Sequence, residues 1–264
     1  MRVSLGVEYD GSSFAGWQSQ AHGNTVQDVL ETALSVVAGT SIRTVCAGRT
    51  DAGVHALAQV VHFDTDVDRP ITAWVRGVNA HLPPAVAVRW AQPMPDQFHA
   101  RFSAQARSYR YLLLNRPVRP AILHGRAGWH HAPLDTDAMA SAAPHLLGEH
   151  DFSSFRAAQC QAKSAIKIME YVSIVRHRDL IVFDFTANAF LHHMVRNLVG
   201  ALVEVGKGAR DSSWLADLLV IRDRRRAAPT FDAAGLYFVG VSYGPGWRLP
   251  QEGRIMAPFI HFPF

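Results

Sequence analysis

The chain has 264 residues, of which 48% are hydrophobic and 18% are charged, and its mean hydropathy is +0.01. This composition excludes a disordered chain and predicts a globular fold with a large core. The sequence shows neither an apolar run long enough to span a bilayer nor a signal-peptide segment, and Cys46 and Cys160 have no metal or disulfide spacing. We therefore expect a cytoplasmic protein with two buried thiols.

The formal net charge is +4 and the pI is about 9.3, which suits an anionic partner. Among the 26 basic residues, lysine occurs only at Lys163, Lys167 and Lys207. Codon bias explains much of this imbalance, but guanidinium groups also bind phosphates in a bidentate manner. Two arginine clusters are candidates for contact with a nucleic-acid backbone: Arg101, Arg107, Arg110, Arg116 and Arg119, and Arg222, Arg224, Arg225 and Arg226.

The first hundred or so residues predict an alternation of strands and helices. Alternating apolar residues predict a strand at 3–9, and an apolar stripe after Thr25 predicts a helix that ends at Gly39. Further on, the pattern predicts strands at 44–46 and 57–63, a helix at 72–81 and a strand at 86–90.

The second part of the chain repeats this order. The pattern predicts a strand at 109–114, a helix at 135–147, a hairpin of 168–176 with 180–187, helices at 191–205 and 212–221, and a strand at 236–243. Two α+β halves that meet near residues 102–108 would share one sheet with helices on one face. We expect the halves at residues 1–104 and 105–245, followed by a tail of unknown role at 246–264. The apolar run at 258–264 either covers a groove or is a frayed end.

The most informative run lies at residues 47–56, between two predicted strands. It places Asp51 between Gly48 and Gly53, with Arg49 two positions before the acid. Glycines suit a tight loop that approaches a ligand, and a carboxylate on such a loop can act as nucleophile, base or electrostatic stabiliser. The residues alone leave open a simple turn in which Asp51 bonds to nearby backbone N–H groups.

Residues 48–55 resemble the signature that carries the catalytic aspartate of the tRNA pseudouridine synthase A family. Further runs resemble the same family, in the same order, at 14–18, 25–27, 98–103, 109–111, 151–156, 188–197 and 235–237. The resemblance implies an α+β fold of two RRM-like or ferredoxin-like halves. These would share a central, mostly antiparallel sheet with helices on one face and a basic RNA-binding cleft.

The resemblance also implies an activity, which is the isomerisation of uridine to pseudouridine at three consecutive positions on the 3′ side of the tRNA anticodon stem-loop. It makes Asp51 the nucleophile or base, with attack at C1′, attack at C6 and proton abstraction as alternatives. It makes Arg49 the residue that holds the flipped base out of the stack, and Tyr109 the residue that stacks on it. It pairs Arg196 with Asp51, which would keep the carboxylate ionised, and it implies a homodimer with tRNA as partner.

Alternative functions have weaker support in the residues. A non-catalytic RNA-binding protein with two RRM-like halves would not need Asp51, and the aromatic-rich RRM signature is absent. A glycosidase or base-excising hydrolase would require a second catalytic acid, and no second acid stands in a comparable setting. His192 and His193 lie in a predicted helix, where adjacent side chains diverge by about 100°, so we expect no metal site there. The implied isomerisation requires no cofactor, so we expect none. We expect Tyr111 in the core, whereas Trp17 and the aromatic run at 152–156 are candidates for core packing as much as for RNA contact.

Overall fold

The computed structural model describes residues 1–21 and 23–250. Within them, ten strands form one sheet, and four α-helices are present. None of these helices has the length and apolar character needed to cross a membrane. The strands are β1 Arg2–Tyr9, β2 Val45–Cys46, β3 His55–Asp64, β4 Val86–Met94, β5 Ala104–Asn115, β6 Gly128–His130, β7 Gly148–Asp151, β8 Ile166–His177, β9 Leu180–Ala187 and β10 Leu236–Tyr243. The helices are α1 Val26–Ala38, α2 Thr136–Ala142, α3 Met194–Gly206 and α4 Trp214–Ile221.

The strand order is β4-β1-β3-β10-β5-β9-β8-β7, with β2 added to β3 and β6 added to β5. Neighbouring strands are antiparallel except for β3 with β10 and β5 with β6. The parallel β3–β10 junction is short, and it pairs Tyr237 with His55 and Phe238 with Ala56. The fold is thus mixed α/β around one large, mostly antiparallel sheet.

The helices pack on a single core. Buried residues from all four described helices belong to one apolar cluster, together with alternate strand residues such as Leu5, Tyr111 and Phe183. Two smaller apolar clusters, around Phe98 and around Leu112, lie outside this core. Burial of each large apolar side chain contributes roughly 1.5–3 kcal/mol, so the main core dominates the stability of the sheet.

The ends of α1 follow the sequence signals. The hydroxyl of Thr25 accepts a hydrogen bond from the Asp28 N–H at 3.3 Å, and Gly39 ends the helix with a φ of 72°. The side chain satisfies one of the unpaired donors of the first turn, and the glycine adopts the left-handed backbone without a Cβ clash.

Three predicted helices differ from the structure. The helix expected at 72–81 contains a wide, π-type turn at Ala73–Gly77. The helix expected at 135–147 ends as α2 at Ala142, because Pro144 lies in a following 3₁₀ turn. The helix expected at 191–205 begins only at Met194. Strands β6 and β7 were not predicted, since three or four residues are too short for a recognisable alternation.

The domain boundaries expected at residues 104 and 245 stay a prediction. Strands β1 to β4 lie on one side of the β3–β10 junction, and the remaining described strands lie on the other. Most of the expected tail, residues 251–264, lies outside the described residues, as does the apolar run at 258–264.

A buried histidine on β3 ties the sheet to the loop before β5. His62 is only 3% exposed, and its Nδ1 accepts a hydrogen bond from the Ala100 N–H at 3.1 Å. An accepting Nδ1 must be unprotonated. Burial, with smaller effects from Arg2 and His99, lowers the pKa of His62 to about 4.

Replacing His62 with Asn keeps an acceptor for the Ala100 N–H and removes the titrating ring. Because the folded-state pKa is depressed, the stabilisation from neutral His62 is complete above the ordinary pKa of 6.5 and is lost as the pH falls toward 4. Between pH 7 and pH 5 the wild-type free energy of unfolding should therefore fall by about 2 kcal/mol more than that of the variant. Denaturant titrations at the two pH values measure this difference, and equal losses would contradict it.

Candidate functional site

The loop that carries Asp51 is fixed by backbone hydrogen bonds to the loop after β1. The Trp17 N–H donates to the Thr50 carbonyl at 3.0 Å, and the Gly53 N–H donates to the Phe14 carbonyl at 3.3 Å. Gly53 has a φ of 77°, a left-handed conformation that favours glycine. Inside the loop, the Val54 N–H donates to the Asp51 carbonyl at 3.1 Å, as expected for a tight turn.

The sheet places an aromatic residue near this loop. The loop enters β3 at His55, and β3 pairs with β10, which in turn pairs with β5. Cross-strand register puts Ala56 opposite Phe238 and Phe238 opposite Tyr109. Tyr109, predicted to stack on a base, therefore lies two strands from the residue that follows the Asp51 loop.

Asp51 meets three nitrogen-bearing side chains from the start of α3. His192 Nε2 lies 3.3 Å from Oδ1, while His193 Nε2 and Arg196 Nη1 each lie 3.5 Å from Oδ2. The Asp51 side chain is 22% exposed, so these groups replace much of the water that would otherwise solvate the carboxylate. The Nε of Arg196 also donates to the Phe231 carbonyl at 2.9 Å, which fixes the guanidinium.

The prediction that the two histidine rings diverge is wrong. His192 and His193 precede α3 instead of lying within it, and His193 has a left-handed backbone with a φ of 62°. This backbone brings the ring centroids to 4.0 Å and turns both Nε2 atoms toward Asp51. In the sequence, the adjacent His-His pair is the only sign of this arrangement. A helical pattern of apolar residues does not predict a left-handed residue just before the helix.

The carboxylate and the two imidazoles are close enough to bridge a divalent cation, since their donor atoms lie within 4.8 Å of one another. The Arg196 guanidinium opposes a cation there, because it already places a positive charge 3.5 Å from Oδ2. We therefore interpret the Arg196 contact as an ion pair with a hydrogen bond, and the two imidazole contacts as close polar approaches to the carboxylate. The expected independence from metal stays a prediction.

Burial shifts the titration of two groups near Asp51. It lowers the pKa of His193, an effect that Asp51 partly opposes and that His192, Arg196 and Arg224 reinforce. His193 is therefore neutral at neutral pH. Burial raises the pKa of Tyr109 far above its ordinary value, and nearby acidic groups including Asp51 add to the shift. Its hydroxyl therefore stays protonated, which favours a packing or hydrogen-bonding role over a role as base.

Asp51 opens onto a cleft of about 1330 Å³ that is also lined by Tyr109, Arg49, Arg101 and Arg107. Tyr109 is 8% exposed and packs edge-on between Phe190 and Phe238, with centroid distances of 5.0 Å. Arg49 is exposed, and among the ion pairs of the described residues none joins it to Asp51. The open carboxylate and the aromatic ring therefore face the same space.

Several arginines of the two predicted clusters are bonded to the protein itself. Arg107 donates to the carbonyls of Ala47 and Asn188, and Arg110 pairs with Asp184 at 2.7 Å. In the second cluster, Arg224 donates to the Ala228 carbonyl, Arg225 pairs with Asp223, and Arg222 lies 3.7 Å from Asp151. Because these arginines already bond to other protein groups, the two clusters do not offer all of their guanidinium groups to an RNA backbone.

The other sequence candidates divide between core and cleft. Trp17, Tyr111, Phe152 and Phe155 are buried, and the Tyr111 hydroxyl donates to the Asp232 carbonyl at 2.8 Å. These aromatics serve packing. Of the two free thiols, Cys46 is buried as expected, whereas Cys160 is partly exposed and lines the cleft.

A fixed carboxylate between imidazoles and a guanidinium, in a large open cleft, is typical of an enzyme that handles charge or protons on its substrate. A family model described as tRNA pseudouridine synthase matches residues 6–103 and 142–244. The tRNA pseudouridine synthase A of Dechloromonas aromatica (strain RCB) is 62% identical over 251 residues, which cover 95% of this chain and 96% of the relative. That of Aromatoleum aromaticum is 62% identical over 98% of this chain and 100% of the relative, and that of Burkholderia mallei (strain SAVP1) is 60% identical over 98% and 96%.

The chain belongs to the tRNA pseudouridine synthase family. It is an isomerase that converts uridine to pseudouridine in tRNA, as the sequence resemblance implied.

Two solved assemblies are similar only at a low level. An H/ACA RNP bound to a substrate RNA containing 2′-deoxyuridine matches with 12% identity and a TM-score of 0.37, and covers 76% of this chain and 44% of its own. A Cbf5-Nop10-Gar1 complex matches with 10% identity and a TM-score of 0.38, and covers 89% of this chain and 48% of its own. This chain spans less than half of each matched chain.

Gly16 packs directly against the backbone of the Asp51 loop, and its replacement should disturb the site. Its φ is 98°, and a methyl group there would lie 2.8 Å from the Thr50 carbonyl oxygen and 3.1 Å from the Ala52 nitrogen. We expect Gly16→Ala to lower the single-turnover rate at least about 10-fold, because a loop shift of under an ångström misplaces the carboxylate.

Gly39→Ala is the matched control, since Gly39 has a φ of 72° but open space around the added methyl group. It should cost about 1 kcal/mol of unfolding free energy and leave the rate unchanged. Rates measured on tRNA transcript, with chemical denaturation of both variants, test the pair. Equal rates for both variants would contradict the proposed support of the loop.

Proposed function

We propose that Asp51 is the catalytic carboxylate and that the cleft above it receives a uridine turned out of the tRNA stack. One observation carries this proposal. Asp51 faces a cleft of about 1330 Å³, while His192, His193 and Arg196, from residues 192–196, contact its two carboxylate oxygens. A surface aspartate in a simple turn would need none of these contacts.

The isomerisation breaks the C1′–N1 bond of uridine and forms a C1′–C5 bond. C5 loses its proton and N1 gains one, so the atoms balance without any co-reactant. Attack of Asp51 on C1′, attack on C6 and proton abstraction all require an ionised carboxylate that reaches the nucleotide. The adjacent Arg196 favours the ionised form by charge, and its Nε bond to Phe231 keeps it in place.

We propose that Tyr109 is the platform for the everted base and that Arg49 holds the base outside the stack. Tyr109 lines the cleft and is packed between two phenylalanine rings, so its own ring is pre-oriented. Arg49 lies on the Asp51 loop, exposed and unpaired with the carboxylate within the described residues. A guanidinium there is free to stack on bases or to contact phosphate.

The RNA path is proposed to follow a basic cleft. Arg49 and Arg101 are exposed on its lining, and the Phe102 ring beside them is 76% exposed with the Arg101 guanidinium 5.6 Å from its centroid. Phe102 also stacks on His99 at 4.3 Å, which holds the aromatic ring out toward solvent. Exposed aromatic and arginine side chains together are typical of contact with unpaired nucleotides. We propose uridines on the 3′ side of the anticodon stem-loop as the targets.

The remaining expectations form part of the same proposal. Two RRM-like halves, at residues 1–104 and 105–245, agree with strands β1 to β4 lying on one side of the β3–β10 junction.

We also propose a homodimer, on the basis of the resemblance. The exposed apolar side chains of Ile168, Tyr171 and Val175 on β8 offer a surface for it. Light scattering tests this directly, since a monomer at all concentrations would contradict it. A cytoplasmic location follows from the tRNA substrate.

Asp51→Asn keeps the side-chain shape and removes the charge. We expect the variant to bind unmodified tRNA transcript within about 2-fold of wild type and to form no pseudouridine, because each mechanistic route requires the carboxylate. Asp66→Asn, at an exposed position away from the cleft, is the control and should retain full activity.

The product is mapped by its carbodiimide adduct, and the RNA is weighed by mass spectrometry. Full conversion by Asp51→Asn would overturn the catalytic role. Loss of a base from the RNA would instead indicate a hydrolase, and binding without product by the wild type would indicate a non-catalytic RNA-binding protein.

The roles of Tyr109 and Arg49 are tested by paired substitutions. Tyr109→Phe keeps the ring and should retain most of the single-turnover rate, whereas Tyr109→Leu should lose about 10-fold or more, since stacking on a base contributes ~1–3 kcal/mol. Arg49→Gln should lose a similar factor through poorer eversion of the base. If Phe is as damaging as Leu, the hydroxyl and not the ring is what the reaction needs. An unchanged rate for Arg49→Gln would remove that residue from the proposal.

A further inference from the structure

We propose that His192 and His193 are positioning residues that hold the Asp51 carboxylate, and that the left-handed backbone at His193 is kept in this fold because it turns the second imidazole onto that carboxylate. The proposal rests on the proposed catalytic role of Asp51. The two imidazoles act through the carboxylate, and they are assigned no contact with the substrate.

The contacts of Asp51 show where its orientation comes from. Its own loop bonds through backbone groups, as in the Val54 N–H to Asp51 carbonyl bond. Within the described part of the chain, the nitrogen-bearing groups that approach its carboxylate within 4 Å all come from residues 192–196, with one imidazole on each oxygen. A carboxylate on a loop has two rotatable bonds, so partners on both oxygens determine which way it faces.

The backbone at His193 lacks a local explanation. Among the described residues, positive φ at a residue other than glycine occurs at Arg178, His193 and Arg222. Arg178 lies in the tight turn between β8 and β9, and Arg222 ends α4, where a left-handed residue is common. His193 instead stands at the N-cap of α3, a position that is usually extended, and its side chain makes no capping hydrogen bond.

Strain of this kind persists only where the surroundings compensate for it. The contacts that single out His193 are the 3.5 Å approach of its Nε2 to Asp51 Oδ2 and the 4.0 Å approach of its ring to that of His192. His192 is fixed by its own backbone, whose carbonyl accepts from the Ala157 N–H at 3.1 Å and whose N–H faces Cys160 Sγ at 3.4 Å. The segment therefore presents both rings to the carboxylate as a preformed pair.

The charge state of His193 suits a holding role. The groups that face His193 are Asp51, His192, Arg196 and Arg224, and with burial they leave its imidazole neutral at neutral pH. A neutral imidazole 3.5 Å from Oδ2 restricts the rotation of the carboxylate without cancelling its charge, and Arg196 supplies the positive charge.

His193→Gly tests the proposal because it relieves the left-handed backbone and removes the ring at the same time. The melting temperature should stay unchanged or rise by about 2 °C, since glycine adopts this conformation without a clash. The single-turnover rate on tRNA should fall about 10-fold or more, with the dissociation constant for tRNA within about 2-fold of wild type. A structural role for His193 would instead lower the melting temperature.

Arg178→Gly is the matched control, because it relieves the same backbone conformation in an exposed turn and should leave the rate unchanged. A second comparison does not depend on glycine. His192→Gln keeps an N–H donor of similar reach and should retain the rate within about 3-fold, whereas His192→Ala should lose about 10-fold.

A wild-type rate for His193→Gly, or equal rates for His192→Gln and His192→Ala, would overturn the positioning role. Either result leaves the role of Asp51 intact, since that depends on Asp51→Asn alone. Conversely, an active Asp51→Asn enzyme removes the proposed function whatever the histidine variants show.

Discussion

The contact between the Asp51 loop and the first residues of α3 is the interaction on which the site depends. It joins Asp51, on the loop between β2 and β3, to Arg196 of α3, and these two residues are 145 positions apart in the chain. Neither segment contains the site alone. The short parallel pairing of β3 with β10 brings them together, and the same junction places Tyr109 beside them through Phe238. The site therefore spans the β3–β10 junction of the sheet.

The positive charges around the cleft divide by their partners. Arg196 is fixed by the Phe231 carbonyl and faces the carboxylate, while Arg107 is bonded to the Ala47 carbonyl at the base of the loop. Arg196 and Arg107 therefore fix neighbouring backbone segments in addition to contributing positive charge. Arg49 and Arg101 remain exposed on the cleft lining, where guanidinium groups can meet RNA. A net charge of +4 thus understates the local asymmetry, since Asp51 is the one acidic residue among the described residues that line the cleft.

Much of the fold was predictable because long strands and α1 carry their signals locally. Local sequence patterns predict the alternation of β1, the hairpin of β8 with β9, and the Thr25 and Gly39 caps of α1. The beginning of α3 was not predictable, since the residues before Met194 include no hydroxyl or carboxylate that caps the helix. The apolar pattern therefore predicts a start at Leu191, three residues before the observed start at Met194, and wrongly puts both histidines inside the helix. The family resemblance implies that Asp51, Arg196 and Tyr109 are site residues, but only the tertiary structure shows His192 and His193 beside the carboxylate.

The central claim is that the oxygen atoms of Asp51 reach the sugar or base of an everted uridine. An experimental structure of the Asp51→Asn enzyme with unmodified tRNA measures this reach directly. We predict a target uridine outside its stack, against Tyr109, with C1′ or C6 within about 3.5 Å of the side chain at position 51. A uridine that remains stacked in the anticodon stem, or one that lies in another part of the protein, would contradict the account.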